Sequence, residues 1–146
     1  KIAMRAGCRM AIADGKASHS LAAVGGEKRC TWFLPAANPM AARKRWIAGA
    51  LTATGALVVD DGAEAALARG KSLLPAGVVA VEGAFERGDA VAVRARDGRR
   101  LATGIVAYSA ADAKAIAGHK SREIEPRLGY RGRDEMSHRD DLVLEG

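Results

Sequence analysis

Aromatic residues are nearly missing from this 146-residue chain: two Trp, two Tyr and two Phe make up 4% of it. Apolar residues still reach 49%, so a core is available, but Ala, Val, Leu and Ile have to build it. Cysteine is equally scarce. Cys8 and Cys30 are the only two, and they form neither a metal-ligand spacing nor a disulfide framework. The expectation is two thiols in a cytoplasmic protein. No apolar run approaches the roughly 20 residues that a membrane helix needs, so no membrane partner is expected. The opening residues, Lys1-Ile2-Ala3-Met4-Arg5, lack an initiating Met and the apolar run of a secretory signal. They read as a chain cut from something longer. The length suits one domain, or a small domain with an appendage.

What is present is a charge that divides unevenly. The net charge of +6 invites a nucleic-acid reading. Residues 1–54, however, carry nine Lys/Arg against Asp14 and Glu27, a net +7, whereas residues 55–146 carry fourteen Lys/Arg against fifteen Asp/Glu, a net −1. Broad neutralisation of a phosphate backbone would need a basic excess in the larger segment. The densest cluster, Arg43-Lys44-Arg45, is expected to be a solvated helix face in a connector.

Residues 1–6 are helix-compatible, with Gly7 able to terminate the helix, and residues 15–40 are turn-rich, with Gly25-Gly26, Pro35 and Asn38-Pro39. Short apolar runs at residues 10–13 and 30–34 predict strands, and residues 41–50 a short helix or an extended arm around Trp46 and Ile47. Beyond Gly55 the pattern becomes regular. Strands are predicted at 57–59, 78–82, 90–94 and 142–144, with residues 101–108 pairing back across the Asp97-Gly98 turn. Asp60-Asp61-Gly62 is expected to close the first of these, and a helix over 63–69 to end at Gly70. Ser109 is expected to cap a helix that Gly118 closes, and a second short helix follows Ser121; if Ser121 is its N-cap, Pro126 loses a helical hydrogen bond and shortens or kinks it. Many short strands, glycine turns and a few short helices predict a small mixed β-barrel over residues 55–146.

Three motifs invite chemistry and fail on spacing. Gly70-Lys71-Ser72 ends like a phosphate-binding P-loop, but the first glycine of that motif would fall at Ala65, and a helix precedes the loop where a strand is required. His138-Arg139-Asp140 looks like a protein-kinase catalytic loop, but the required Asn five residues on is Glu145. That triplet is expected to order a turn before the last strand. His19, His119 and His138 have no zinc-ligand spacing, and Ser72 and Ser137 lie in no nucleophile elbow. Spacing assigns no catalytic, cofactor-binding or metal residue.

Longer stretches carry a resemblance. Residues 62–63 and 67, then Gly70-Lys71-Ser72-Leu73-Leu74-Pro75-Ala76-Gly77-Val78, then Val81-Glu82-Gly83-Ala84-Phe85-Glu86-Arg87-Gly88-Asp89, resemble a PUA domain. The variety is similar to the C-terminal domain of the bacterial glutamate 5-kinase family. Arg43-Lys44-Arg45-Trp46-Ile47, Gly118-His119-Lys120-Ser121-Arg122-Glu123-Ile124, and Leu128-Gly129-Tyr130 followed by His138-Arg139-Asp140-Asp141-Leu142 extend the likeness over essentially the whole chain. The resemblance implies a mainly β fold with short helices, a PUA-like pseudo-barrel over 55–146. A connector over 35–54 would precede it, and before that, over 1–34, a remnant of an αβα-sandwich amino-acid kinase domain. Cys30 stands where the family resembles Gly-Thr-x-Phe, at a turn expected to favour glycine.

The resemblance further implies transfer of the γ-phosphoryl of ATP, with Mg2+, to the side-chain carboxylate of L-glutamate, the first step of proline synthesis. The residues for that chemistry would lie upstream of Lys1, so the fragment binds no cofactor of its own. Its partners would be its own kinase domain and further copies of itself. Apolar Ile2, Met4, Met10, Ile12, Trp32 and Phe33 would normally pack on such partners. RNA is the alternative partner. In PUA domains that bind it, the first helix and following loop form the contact face, which maps to Lys71, Ser72, Leu74, Pro75, Ala76 and Gly77. The opposing expectation is that Leu73, Leu74 and Val78 are core and the Pro-Ala-Gly segment is a turn.

Overall fold

The computed structural model describes residues 8–15, 30–34, 39–50 and 52–145. The helix expected over 1–6 and most of the turn-rich stretch, including Gly25-Gly26 and Pro35, lie outside the described residues. Two compact units divide the chain, Lys1–Arg43 and Lys44–Gly146.

In the first unit, β1 (Met10–Ala13) and β2 (Cys30–Phe33) form an antiparallel pair, with Met10 opposite Phe33 and Ala13 opposite Cys30. Cys30 thus opens a strand and occupies no glycine-type turn, so its side chain is accommodated without backbone strain. Cys8 lies beyond the other end of the ladder, and no disulfide joins the two. Helix α1 (Pro39–Ala50) runs across the boundary between the units. Pro39 suits its first position, where the missing N–H would have no helical partner. Arg43, Lys44 and Arg45 are exposed on α1, and Ala42 and Ile47 are buried. The basic cluster is therefore a solvated helix face.

The second unit holds β3 (Gly55–Val59), α2 (Asp61–Ala68), β4 (Val78–Gly83), β5 (Ala90–Arg94), β6 (Arg100–Ile105), α3 (Ala110–Ile116), α4 (Ile124–Leu128) and β7 (Leu142–Leu144). Short 3-10 turns cover Pro75–Gly77, Ser121–Glu123 and Arg139–Asp141. The strands form one sheet in the order β4-β3-β5-β6-β7, in which only β3 and β5 run parallel. Hydrogen bonding among the described residues runs from β4 to β7 without closing into a barrel. The fold is mainly β with short helices.

Strand β5 is the middle of the sheet, and Ala90, Val91, Ala92 and Val93 are all buried. Its sequence alternates in size but not in polarity, as expected of a strand covered on both faces. Helices α2 and α3 add Leu67, Ala113 and Ile116 to the same core.

Local differences from the sequence expectations have simple causes. Asp60 begins a helix and does not merely turn the chain: it is the N-cap of α2, and its Oδ1 accepts from the Ala63 N–H at 2.7 Å. Strand β6 stops at Ile105, before Tyr108. The next amides donate elsewhere, Val106 to the Asp89 carbonyl and Ala107 to that of Met136. Ser109 caps α3 as expected, accepting from the Asp112 N–H at 3.2 Å. Ser121 is no cap. Its hydroxyl donates to the Asp134 carbonyl at 2.9 Å, and it opens a 3-10 turn that leads into α4. Pro126 is the third residue of α4, inside the first turn, where a missing N–H costs no helical bond.

Tyr108 locks the far side of this unit. It is 1% exposed, and its hydroxyl donates to the Arg133 carbonyl. Gly132 makes the approach possible, because a Cβ there would collide with the Tyr108 ring and hydroxyl.

Candidate functional site

The six residues singled out by sequence follow α2. The end of that helix has a specific geometry: the Lys71 N–H donates to the Ala66 carbonyl at 3.1 Å and the Gly70 N–H to the Leu67 carbonyl at 2.8 Å. This is a Schellman ending, and Gly70 takes the left-handed conformation it needs, with φ of 71°. Gly70-Lys71-Ser72 therefore sits at the negative end of a helix, with two of its amides already engaged. A phosphate loop needs free amides at a positive end. The structure thus gives the physical reason for excluding a P-loop.

Beyond Lys71, three contacts with a distant segment fix the chain. Ser72 Oγ accepts from the Arg139 N–H at 3.1 Å. The Leu73 N–H donates to the Ser137 carbonyl at 2.9 Å, and the Leu73 carbonyl accepts from Met136 at 2.8 Å. Pro75, Ala76 and Gly77 then form the 3-10 turn, closed by the Gly77 N–H on the Leu74 carbonyl at 3.2 Å. The Pro75 carbonyl accepts from Gly118 at 2.9 Å, and the Gly77 carbonyl from Asp60 at 3.0 Å. Gly77 lies so close to α2 that a Cβ on it would overlap that of Ala63.

These constraints leave a cleft of about 560 Å³ between the start of α2 and the 3-10 turn. Lys71, Ser72, Leu74, Ala76 and Gly77 line it, so five of the six expected residues come together. The sixth, Pro75, is buried and holds the turn in place. Leu73 and Val78 are core, at 1% and 0% exposure. Leu74 is not, at 46%, because its place just before the 3-10 turn brings it to the cleft wall.

Sequence reasoning missed the opposite wall. Asp60 caps α2, Ala63 and Ala66 lie along it, and Glu135 comes from a distant loop. The sequence pattern marks Asp60 only as part of a turn after β3, and nothing in it marks Glu135. The cleft thus carries one cation, Lys71, beside two carboxylates. It contains small and apolar surface with hydrogen-bonding edges, but no nucleophile paired with a base.

The other motifs resolve as structure. His138 Nδ1 accepts from the Asp140 N–H at 3.2 Å and so caps the 3-10 turn that leads into β7. His119 Nδ1 lies 3.8 Å from Glu123 Oε1. His19 lies outside the described residues. Among the described residues, no group of three His, Cys, Asp or Glu side chains could hold a metal ion.

The groups whose titration shifts lie away from the cleft. Burial pushes the Tyr108 phenol up, helped by Tyr130, Asp134 and Glu135. Burial and the bond to Asp112 raise Tyr130. The Lys120 N–H holds Glu123 low, and Glu64 raises Arg99.

Comparison with known proteins follows the same lines. The sequence profile of the PUA domain matches residues 55–128. The glutamate 5-kinase of Paramagnetospirillum magneticum is 58% identical over 146 residues, which is 100% of this chain and 40% of that protein. The glutamate 5-kinase of Rhodospirillum rubrum is 57% identical over 99% of this chain and 39% of its own length. The chain thus spans about 40% of the length of these curated relatives. Among solved structures, a PUA domain from Aeropyrum pernix K1 in complex with tartrate aligns over 58% of this chain and 41% of its own, with TM-score 0.44 and 27% identity. A PUA domain protein from Thermoplasma acidophilum aligns over 66% and 54%, with TM-score 0.42 and 17% identity. The profile covers the sheet from β3 through α4, including the whole segment from Asp60 to Gly77 that shapes the cleft, and on that match the chain belongs to the PUA domain family.

Proposed function

We propose that this chain is the C-terminal region of a glutamate 5-kinase, an enzyme that passes the γ-phosphoryl of ATP, with Mg2+, to the side-chain carboxylate of L-glutamate. The observation that carries this reading is 58% identity sustained over the whole chain. In this reading residues 1–34 are the end of an amino-acid kinase domain, residues 35–54 a connector and residues 55–146 a PUA domain with an architectural or regulatory role. The protein would work in the cytoplasm. No helix among the described residues is long and apolar enough to cross a membrane.

The described residues do not fit the nucleotide or its metal. The only P-loop-like triplet lies at the wrong end of a helix, and no carboxylate cluster among the described residues could hold a divalent ion. In this reading nucleotide and glutamate bind upstream of Lys1, and no chemical step is assigned to the described residues. Phosphoryl transfer of this kind relies on positioning and charge neutralisation, to which an attached domain contributes indirectly.

The test is glutamate-dependent ADP release by the full-length protein and by a version ending at residue 54. The full-length protein should turn over, and the shortened one should keep the chemistry with altered stability or regulation. Absence of glutamate-dependent turnover in the intact protein would overturn the proposal. Self-association through the exposed Ile12, Trp32 and Phe33 is part of the same proposal. Sedimentation as a clean monomer would remove that part.

An RNA-binding role for the face formed by Lys71, Ser72, Leu74, Pro75, Ala76 and Gly77 is the weaker reading. Its support is the cleft itself, which offers small residues and one cation. Against it stand Asp60 and Glu135, whose charge opposes a phosphate backbone. Salt-dependent RNA binding lost in Lys71→Ala would favour it over the architectural role.

A further inference from the structure

Lys71 also borders a second, smaller cleft of about 260 Å³, and this one has the opposite electrostatic character. Three cations reach it from segments far apart in sequence: Lys44 on α1, Lys71 after α2, and Arg139 in the turn before β7. A single carboxylate, Asp140, faces them. That carboxylate is already engaged, with Oδ1 4.0 Å from Arg139 Nε. Two of the cations sit on fixed backbone, Lys71 through the Schellman bond to Ala66 and Arg139 through its N–H on Ser72 Oγ.

The rest of the cleft is apolar. Leu67 and Leu142, 2% and 4% exposed, are packed into the core, and Leu144, 45% exposed, forms a lip. Apolar walls lower the local dielectric, so uncompensated positive charge acts more strongly there than on open surface. The volume falls just below the roughly 300–1,000 Å³ of drug-sized ligand sites.

We propose that this cleft binds a small carboxylate with a short aliphatic body. The carboxylate would meet Lys71 and Arg139, with Lys44 closing from α1, and the aliphatic part would cover Leu142 and Leu144. A bare inorganic anion would satisfy the charges but leave the leucines wet. This site is separate from the cleft beside Asp60 and does not depend on the glutamate 5-kinase reading.

The test is a titration of the 146-residue chain with glutarate, and separately with inorganic phosphate, followed by amide NMR at constant ionic strength. Glutarate should shift the Lys71, Arg139 and Leu144 amides saturably. Lys71→Met and Arg139→Met should each weaken binding about tenfold or more, the cost of losing a charge-assisted contact. Leu144→Asp, which adds a negative charge at the lip, should abolish it, and Arg96→Met, on an exposed turn, should leave it unchanged. Shifts that do not saturate would overturn the proposal. So would glutarate binding that survives in both cation variants, or phosphate binding more tightly than glutarate.

Discussion

The β1–β2 hairpin and the five-stranded sheet are built from similar residues and end up in opposite states. In the hairpin, Ile12 is 57% exposed and Trp32 48%. In the sheet, Leu57, Val91 and Val93 are all at 0%. The difference is one of company. Among the described residues each hairpin strand has one neighbour, whereas β5 lies between β3 and β6 in a sheet that shares its core with three helices. A two-stranded ribbon cannot bury its own faces, and three or more strands or a packed helix are needed for independent stability. Apolar composition alone therefore does not make a core; the number of layers does.

The comparison can be tested by substitution. Leu57→Ala should cost the most, about 2–5 kcal/mol from lost transfer energy and a residual cavity, read from the thermal midpoint. Tyr108→Phe comes next, at about 1–2 kcal/mol, because it leaves the Arg133 carbonyl without its donor. This second variant also has a pH signature. The folded Tyr108 phenol titrates above its usual range, so its contribution is complete below about pH 10 and declines as pH rises through the folded value. The wild-type protein should lose stability in alkali faster than Tyr108→Phe does. Ile12→Ser should have the smallest effect, under about 0.5 kcal/mol, as for an exposed position. An Ile12→Ser cost equal to that of Leu57→Ala would break the comparison.

What the sequence made legible was local. The apolar run of β5, the Asp97-Gly98 turn and the Ser109 cap depend on a few adjacent residues, and each forms where the pattern placed it. The pairing of β3 with β5 in parallel was not legible, since no short-range signal tells a strand which distant strand it will join. The candidate site divides in the same way. The resemblance pointed to the wall from Lys71 to Gly77, but Glu135 and Arg139 arrive through contacts more than sixty residues away in the chain. The helix holding Pro126 is short, as expected, but Pro126 breaks no bond in it, because the Ser121–Glu123 turn moves its start by three residues.

The bridge between Leu73 and Ser137 has a consequence for synthesis. A ribosome makes Asp60 to Gly77 early, yet the bonds from Met136, Ser137 and Arg139 that hold Ser72 and Leu73 are available only some sixty residues later. During that interval the α2 segment can form its helix but not its final surroundings, and the outer edge of β6 stays open until β7 is made. Leu73 joins the first and last parts of the domain, and both clefts reach their final shape only when that late segment docks.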